Sequence, residues 1–115
     1  MQDCVFCKII DGRIPSKKVY EDDDVYAFHD INPWAPVHFM IIPKLHIASL
    51  VEVGPDHEAL LGKMLVMASK LALAEGLADG WRTIVNTGRV GRQEVYHLHM
   101  HIIGGKEPLP GMVKR

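Results

Sequence analysis

Between residues 97 and 103 the chain reads His97-Leu98-His99-Met100-His101-Ile102-Ile103, and this alternation constrains the fold more than any other segment. Alternate residues of a strand point to opposite faces. A strand over His97–Ile103 therefore sets three imidazoles on one side and packs Leu98, Met100 and Ile102 into a core on the other.

Three readings of the imidazole row compete. Incidental histidines on a half-exposed strand are a poor account of three in alternation, because a neutral imidazole offers little to core or surface. A single metal ion is held badly by all three, since the outer pair start about 13 Å apart along a strand and metal–nitrogen bonds are about 2 Å. Catalysis fits better, with one histidine as nucleophile and its neighbours positioning phosphate and protons. Imidazole is nucleophilic near neutral pH without a strongly shifted pKa. Gly104-Gly105 follows the row and Gly91-Arg92-Gln93-Glu94 precedes it. Glycine at both ends lets backbone amides approach an anion closely.

The rest of the chain supplies a setting for that strand. Residues 4 to about 11 read as a short helix ending near Gly12. Strands are expected at Lys17–Tyr20, Val25–His29, Val37–Ile42 and Trp81–Val85, with a turn at Asp22-Asp23-Asp24 and a double-proline loop at Asn32–Pro36. The main helix is expected over Pro55–Glu75. Proline opens it, Asp56 and Glu58 lie in its first turn, an apolar stripe runs from Leu60 to Ala72, and Gly76 stops it. The sum is a single α+β domain over residues 1–115, an antiparallel five-stranded sheet with one main helix and a short N-terminal helix.

Composition narrows the partners. The formal net charge is −1, so no basic stripe for a nucleic acid is expected, whereas a mononucleotide needs only a few local groups. The longest convincing apolar run, Phe39–Ile42, is too short to span a membrane. The start, Met1-Gln2-Asp3-Cys4, lacks a signal-peptide pattern, and a cytoplasmic protein is expected. The two cysteines, Cys4 and Cys7, form a C-x-x-C pair that reads as metal ligands, a redox dithiol or neither.

The imidazole row with Gly104-Gly105 resembles the histidine triad motif. Phe6-Cys7-Lys8-Ile9-Ile10, Ile14-Pro15, Tyr20–Asp23, Ala27–Ile31 and Ile41–Lys44 extend the likeness, in order and spacing, over nearly the whole chain. The sequence is similar to the histidine triad (HIT) family, in particular its nucleotide-binding branch. The resemblance implies a HIT-like fold, a homodimer whose sheets join across the interface, and hydrolysis of purine nucleoside phosphoramidates, AMP derivatives being typical and GMP an alternative. By position, His99 is the nucleophile that forms a nucleotidyl-histidine, and His101 contacts phosphate and assists the leaving group. Asp30 binds the ribose hydroxyls. Phe6, Ile9, Phe28, His29 and Ile31 wall the base and sugar, while Asn86, Gln93, Glu94 and Val95 approach the phosphate and leaving group. The family usually has Gly-Gly-Gln before the triad; here it is Gly91-Arg92-Gln93, so Arg92 either restricts the loop or adds a cation near the leaving group.

The resemblance also implies a structural zinc held by Cys4, Cys7, His46 and His97, two thiolates and two imidazoles being a common tetrahedral set. His38, mid-strand among apolar neighbours, either orients the triad through a ring nitrogen or is a satisfied core histidine, and His57 is expected at the surface. Two rival functions stay open at this level. One is a dinucleoside polyphosphate hydrolase of the same family, and the other a nucleotide-binding or zinc-stapled interaction module without turnover.

Overall fold

The structure, a computed structural model, describes residues 3–111; the extreme ends of the expected domain, Met1-Gln2 and residues 112–115, lie outside the described residues. The chain folds as α1 (Val5–Ile10), β1 (Lys18–Glu21), β2 (Val25–His29), β3 (Val37–Pro43), α2 (Glu58–Ala74), β4 (Arg82–Ile84) and β5 (Met100–Gly104). The five strands form one sheet in the order β1-β2-β3-β5-β4, and every neighbouring pair is antiparallel. The expected α+β architecture is therefore present, strand for strand.

The pleat divides the sheet into two buried faces. Val25, Ala27, Phe39, Ile41, Met100 and Ile102 pack with Met64, Ala68, Leu71 and Ala72 of α2. Tyr26, Phe28, Met40 and Ile42 point the other way and pack with Phe6 and Ile9 of α1. Burial on both sides explains why β2 and β3 read as nearly continuous apolar runs. In register, Met40 lies opposite His101 and Phe39 opposite Ile102. His101 therefore shares a face with Phe28 and Met40, away from α2.

Local chemistry fixes the element ends. Asp22 makes the β1–β2 turn by accepting the amides of Asp24 and Val25 at 2.8 and 3.0 Å, and Lys63 of α2 binds the same carboxylate at 2.9 Å. The main helix stops in a Schellman motif. The Leu77 amide donates to Ala72 and the Gly76 amide to Leu73, which needs φ of +89° at Gly76 and so favours glycine there. Leu77 then tucks into the α2 core.

Two boundaries differ from expectation. The helix expected over Pro55–Glu75 begins as a 3-10 turn at Pro55–His57 and becomes α-helical only at Glu58. The His57 amide closes an i→i+3 turn onto the Gly54 carbonyl at 2.9 Å, and the His57 ring caps the turn by accepting from the Gly54 amide at 3.1 Å. More consequential, the strand expected from His97 begins only at Met100. Upstream of it the Leu98 amide turns aside to the Ile47 carbonyl at 2.7 Å, and the His97 ring reaches the Pro43 carbonyl at 2.7 Å. Tertiary partners thus outbid the ladder over residues 97–99. Among the described residues no helix is long and apolar enough to cross a membrane.

Ile102 is fully buried beneath α2, one residue from His101 but on the opposite face. Ile102→Ala should lower unfolding free energy by about 2–4 kcal/mol through lost burial and the residual cavity, read by urea denaturation. A loss below about 0.5 kcal/mol would show that this face is not a packed core.

Candidate active site and metal centre

The site stands on the α1 face of the sheet, where the chain leaves the ladder before β5. His97, His99 and His101 are all buried. Burial is the main cause that lowers the pKa of each, to about 4 for His97 and His101 and in the same direction for His99. All three are therefore neutral at pH 7, and the hydrogen-bond partners assign which nitrogen carries the proton.

For His99, Nδ1 faces the carbonyl of His97 at 2.8 Å. A carbonyl only accepts, so Nδ1 bears the hydrogen and Nε2 is left with a bare lone pair. For His101 the assignment runs through His38. The Trp34 backbone amide donates to His38 Nδ1 at 3.1 Å, which puts the His38 hydrogen on Nε2. That Nε2–H donates to His101 Nδ1 at 2.9 Å, so the His101 hydrogen sits on its own Nε2. Two adjacent rings, with centroids 5.0 Å apart, thus offer opposite edges, a lone pair from His99 and an N–H from His101. Among the described residues no buried side-chain nitrogen lacks a partner, so these two free nitrogens reach the open side. His38 is buried with both ring nitrogens hydrogen-bonded, one of them to His101. Its pKa too is lowered by burial, against the opposing pull of the Asp30 carboxylate, which lies 3.5 Å from its Nε2.

His97 points elsewhere. Its Nε2–H goes to Pro43, so its Nδ1 is a bare acceptor, 3.3 Å from Cys4 Sγ, 3.6 Å from Cys7 Sγ and 3.2 Å from His46 Nδ1. Ligand atoms of Cys4, Cys7, His46 and His97 all lie within 4.8 Å of one another. The C-x-x-C pair sits at the start of α1, where Cys4 Sγ also caps the helix by accepting from the Cys7 amide. An uncharged acceptor nitrogen turned toward another ring nitrogen and two sulfurs is a donor set that fits a tetrahedral cation.

Beside the triad a cavity of about 510 Å³ is lined by His38, His101, Asp30, Trp34 and the loop between β4 and β5, including Asn86, Arg89, Arg92, Gln93 and Glu94. Gln93 holds that loop together. Its Oε1 accepts the Gly88 amide at 3.0 Å, and its Nε2 donates to the Ala48 and Val95 carbonyls at 2.8 and 2.9 Å. Gly91 is required for the same turn, because a Cβ there would stand 2.5 Å from the Thr87 carbonyl oxygen. Arg92, next in line, has φ of +64° and is the one non-glycine residue with positive φ among the described residues. That conformation costs a side-chain-bearing residue on the order of 1 kcal/mol.

The other expected residues divide. Phe6 meets His99 edge-on at 5.1 Å and Phe28 at 5.5 Å, and Ile9 and Val95 join the same cluster. Asp30 turns one carboxylate oxygen to the Asn32 amide at 2.8 Å. The His29 ring lies on the opposite side of the sheet, 6.5 Å from Phe39 and 3.9 Å from Glu75, so it is not part of that wall. Ile31 projects from the loop after β2 and is 90% exposed. His57 is half-buried as a cap rather than simply at the surface. Sequence reasoning missed Trp34 and Arg89. A large aromatic inside the double-proline loop was the available signal for Trp34, whose indole is 68% exposed and stacks on His101 at 6.0 Å and 9°.

An antiparallel five-stranded sheet backed by one helix, with His101 on β5 and His97 and His99 on the segment leading into it, is the setting of a histidine triad. The sequence pattern of the HIT domain matches residues 11–108. The chain belongs to the HIT family. It is 50% identical over 113 residues to the purine nucleoside phosphoramidase of Escherichia coli K12, covering 97% of this chain and 94% of that protein. Its fold superposes on a histidine triad protein from Clostridium difficile with a TM-score of 0.93 and 46% identity, over 98% of each chain. A zinc-bound histidine triad family protein from Mycobacterium smegmatis is 31% identical with a TM-score of 0.81, over 91% of this chain and 76% of that one.

The depressed pKa of His101 carries a pH dependence. In the unfolded chain His101 takes a proton below about pH 6.5, whereas the folded ring, facing His38, His99, Trp34 and Asp30, resists until about 4. Between those values the unfolded state binds more protons, so stability falls as pH falls. This residue contributes on the order of 3 kcal/mol to the loss. Urea midpoints measured from pH 7 to 4 should decline, and less steeply in His101→Gln. Equal slopes in the two proteins would contradict the assignment.

Proposed function

We propose that this chain is a nucleoside phosphoramidase. In this reading it binds a purine mononucleotide, such as AMP or GMP, joined through its α-phosphate to an amine, and hydrolyses the phosphorus–nitrogen bond. The observation that carries the reading is the pairing of a bare imidazole nitrogen with an imidazole N–H on neighbouring buried rings. The 50% identity to a purine nucleoside phosphoramidase supports the substrate class.

The chemistry proceeds in two displacements. His99 Nε2 gives its lone pair to the α-phosphorus while the phosphorus–nitrogen bond breaks, and the departing amine keeps that bonding pair and takes up a proton from solvent water in the open cavity, later matched by the proton that the attacking water releases. His99 keeps its Nδ1–H on the His97 carbonyl, which eases the positive charge on the nucleotidyl-imidazole. His101 offers Nε2–H to the phosphate oxygens and the departing nitrogen. Water then attacks phosphorus, His99 leaves with its electron pair, and the proton that water releases restores the balance. Splitting one displacement into two is the advantage of the covalent route. Asp30 accepts the ribose hydroxyls with its remaining lone pairs. Phe6, Ile9 and Phe28 supply the apolar wall and Ile31 flanks its mouth. Asn86, Glu94 and Val95 border the phosphate, while Gln93 shapes the loop around it.

Zinc is the cation proposed for Cys4, Cys7, His46 and His97, where it supplies structural cross-linking. Those residues tie the start of α1 to the residue whose carbonyl orients His99. A homodimer is also proposed; Leu65, Val66 and Leu73, exposed on α2, and the outer edge of β4 are apolar surface and strand edge in search of a partner.

Two experiments test these statements. Rapid quenching at alkaline pH should trap a nucleotide on the peptide holding residues 97–101, stable to base and labile to acid. His99→Asn should abolish the adduct and lower turnover by roughly a thousandfold or more. Wild-type turnover in that variant, or a label on His97 or His101, would overturn the assignment. For the metal, purified protein should contain about one zinc per chain, and Cys4→Ser should lower both zinc content and melting temperature. Metal-free protein that melts at the same temperature would sink the zinc proposal.

A further inference from the structure

The cavity beside His101 carries two charges that the chemistry above leaves unused. Arg89 and Arg92 both line it, both are exposed, and among the described residues neither guanidinium makes an ion pair or a side-chain hydrogen bond. Asp30 and Glu94 border the same space without neutralising them. The apolar wall of Phe6, Ile9 and Phe28 does not line this cavity, so the arginines share a space with His101 and the residues proposed for ribose and phosphate rather than with the wall proposed for the base. Arg92 is also held where its backbone is strained. Every other described residue with positive φ is a glycine, and the loop itself is secured by Gln93 and Gly91. The Arg92 amide closes the turn onto the Arg89 carbonyl at 3.1 Å, so the turn itself sets the positive φ, and a side-chain-bearing residue at a position suited to glycine points to a use for that side chain.

We propose that Arg89 and Arg92 form an anion subsite for the leaving group, which makes this chain selective for phosphoramidates whose amine carries a negative group close to the scissile nitrogen. The inference rests on the phosphoramidase reading and specifies its substrate class. Guanidinium matches carboxylate or phosphonate oxygens in a forked geometry and stays charged at any working pH. The ligand chemistry is thus a small amine bearing a carboxylate or a phosphonate-like group. Trp34, stacked on His101, lines the same cavity, in which the two arginines are the cationic side chains.

Three substrates separate the terms: adenosine 5′-phosphoramidates of glycine, of glycinamide and of aminomethylphosphonate. Glycine and glycinamide differ by little except charge. Wild type should favour glycine over glycinamide in kcat/KM by about three- to tenfold, the scale of a partly screened charged hydrogen bond, and the preference should shrink as salt is raised. A larger preference for the phosphonate would identify a phosphate-type ligand, and a larger one for glycine a carboxylate; either supports the subsite. In Arg92→Gly and in Arg89→Gln the glycine-to-glycinamide ratio should fall toward one, with Arg92→Lys retaining part of it. Arg92→Gly should melt at the same temperature or higher, because glycine relieves the backbone, so a lost ratio there is not a collapsed loop. Turnover of all three substrates without preference, or a ratio unchanged in the double variant, would overturn this inference alone. Turnover of none would overturn the phosphoramidase reading and this inference with it.

Discussion

The hydrogen bond from His99 Nδ1 to the His97 carbonyl, 2.8 Å long, is the contact on which the rest of the site depends. It decides which nitrogen of a neutral ring is bare. It exists only because the backbone at His97 is not engaged in the sheet. A strand continuing from β5 would give that carbonyl a ladder partner; instead the chain is drawn off by Ile47, Pro43 and the cysteine cluster. The His99 tautomer is therefore a consequence of where the sheet ends, and the sheet ends where the N-terminal helix and its cysteines pull on residue 97.

This places the metal-type cluster and the triad in series. The His97 side chain belongs to one and its backbone to the other, so anything that fixes the imidazole of His97 also fixes the acceptor beneath His99. The second relay, from the Trp34 amide through His38 to His101, is built separately, from the double-proline loop and β3. Two independent supports set two adjacent rings in opposite tautomers, and burial keeps both rings neutral by disfavouring the charged form.

The alternation at 97–103 was readable because the side-chain period of a strand is written directly into sequence, and it correctly put Ile102 beneath α2 and His101 on the other face. The five strands, the main helix and its Gly76 stop were readable for the same kind of local reason. The detachment of residues 97–99 was not, since its causes lie at Pro43 and Ile47, about fifty residues away. The four-residue sulfur and imidazole cluster was accessible only through family resemblance; C-x-x-C alone left three readings open, and spacing in sequence does not bring His46 to His97. The sidedness of His29 could have been inferred from β2 itself, because alternation sets it opposite Phe28. Arg89 and Trp34 escaped because an exposed arginine and an exposed tryptophan in loops have no periodicity to betray them.

What burial supplies here it also takes away. A bare imidazole nitrogen at neutral pH requires a lowered pKa, and the same desolvation makes each of these rings a liability once the solvent is acid enough to protonate the unfolded chain. The polar loop opposite is arranged on the contrary principle. Gln93 has its side-chain amide committed to the backbone, so the loop keeps its shape without help from the charges at its tip. Arg89 and Arg92 are thereby free to remain solvated and unpaired. Fixed neutral nitrogens on the sheet and free permanent charges on a fixed loop are complementary ways of facing one anion. The first sets the reacting atoms to within a hydrogen bond, whereas the second adds attraction that does not depend on any proton being in place.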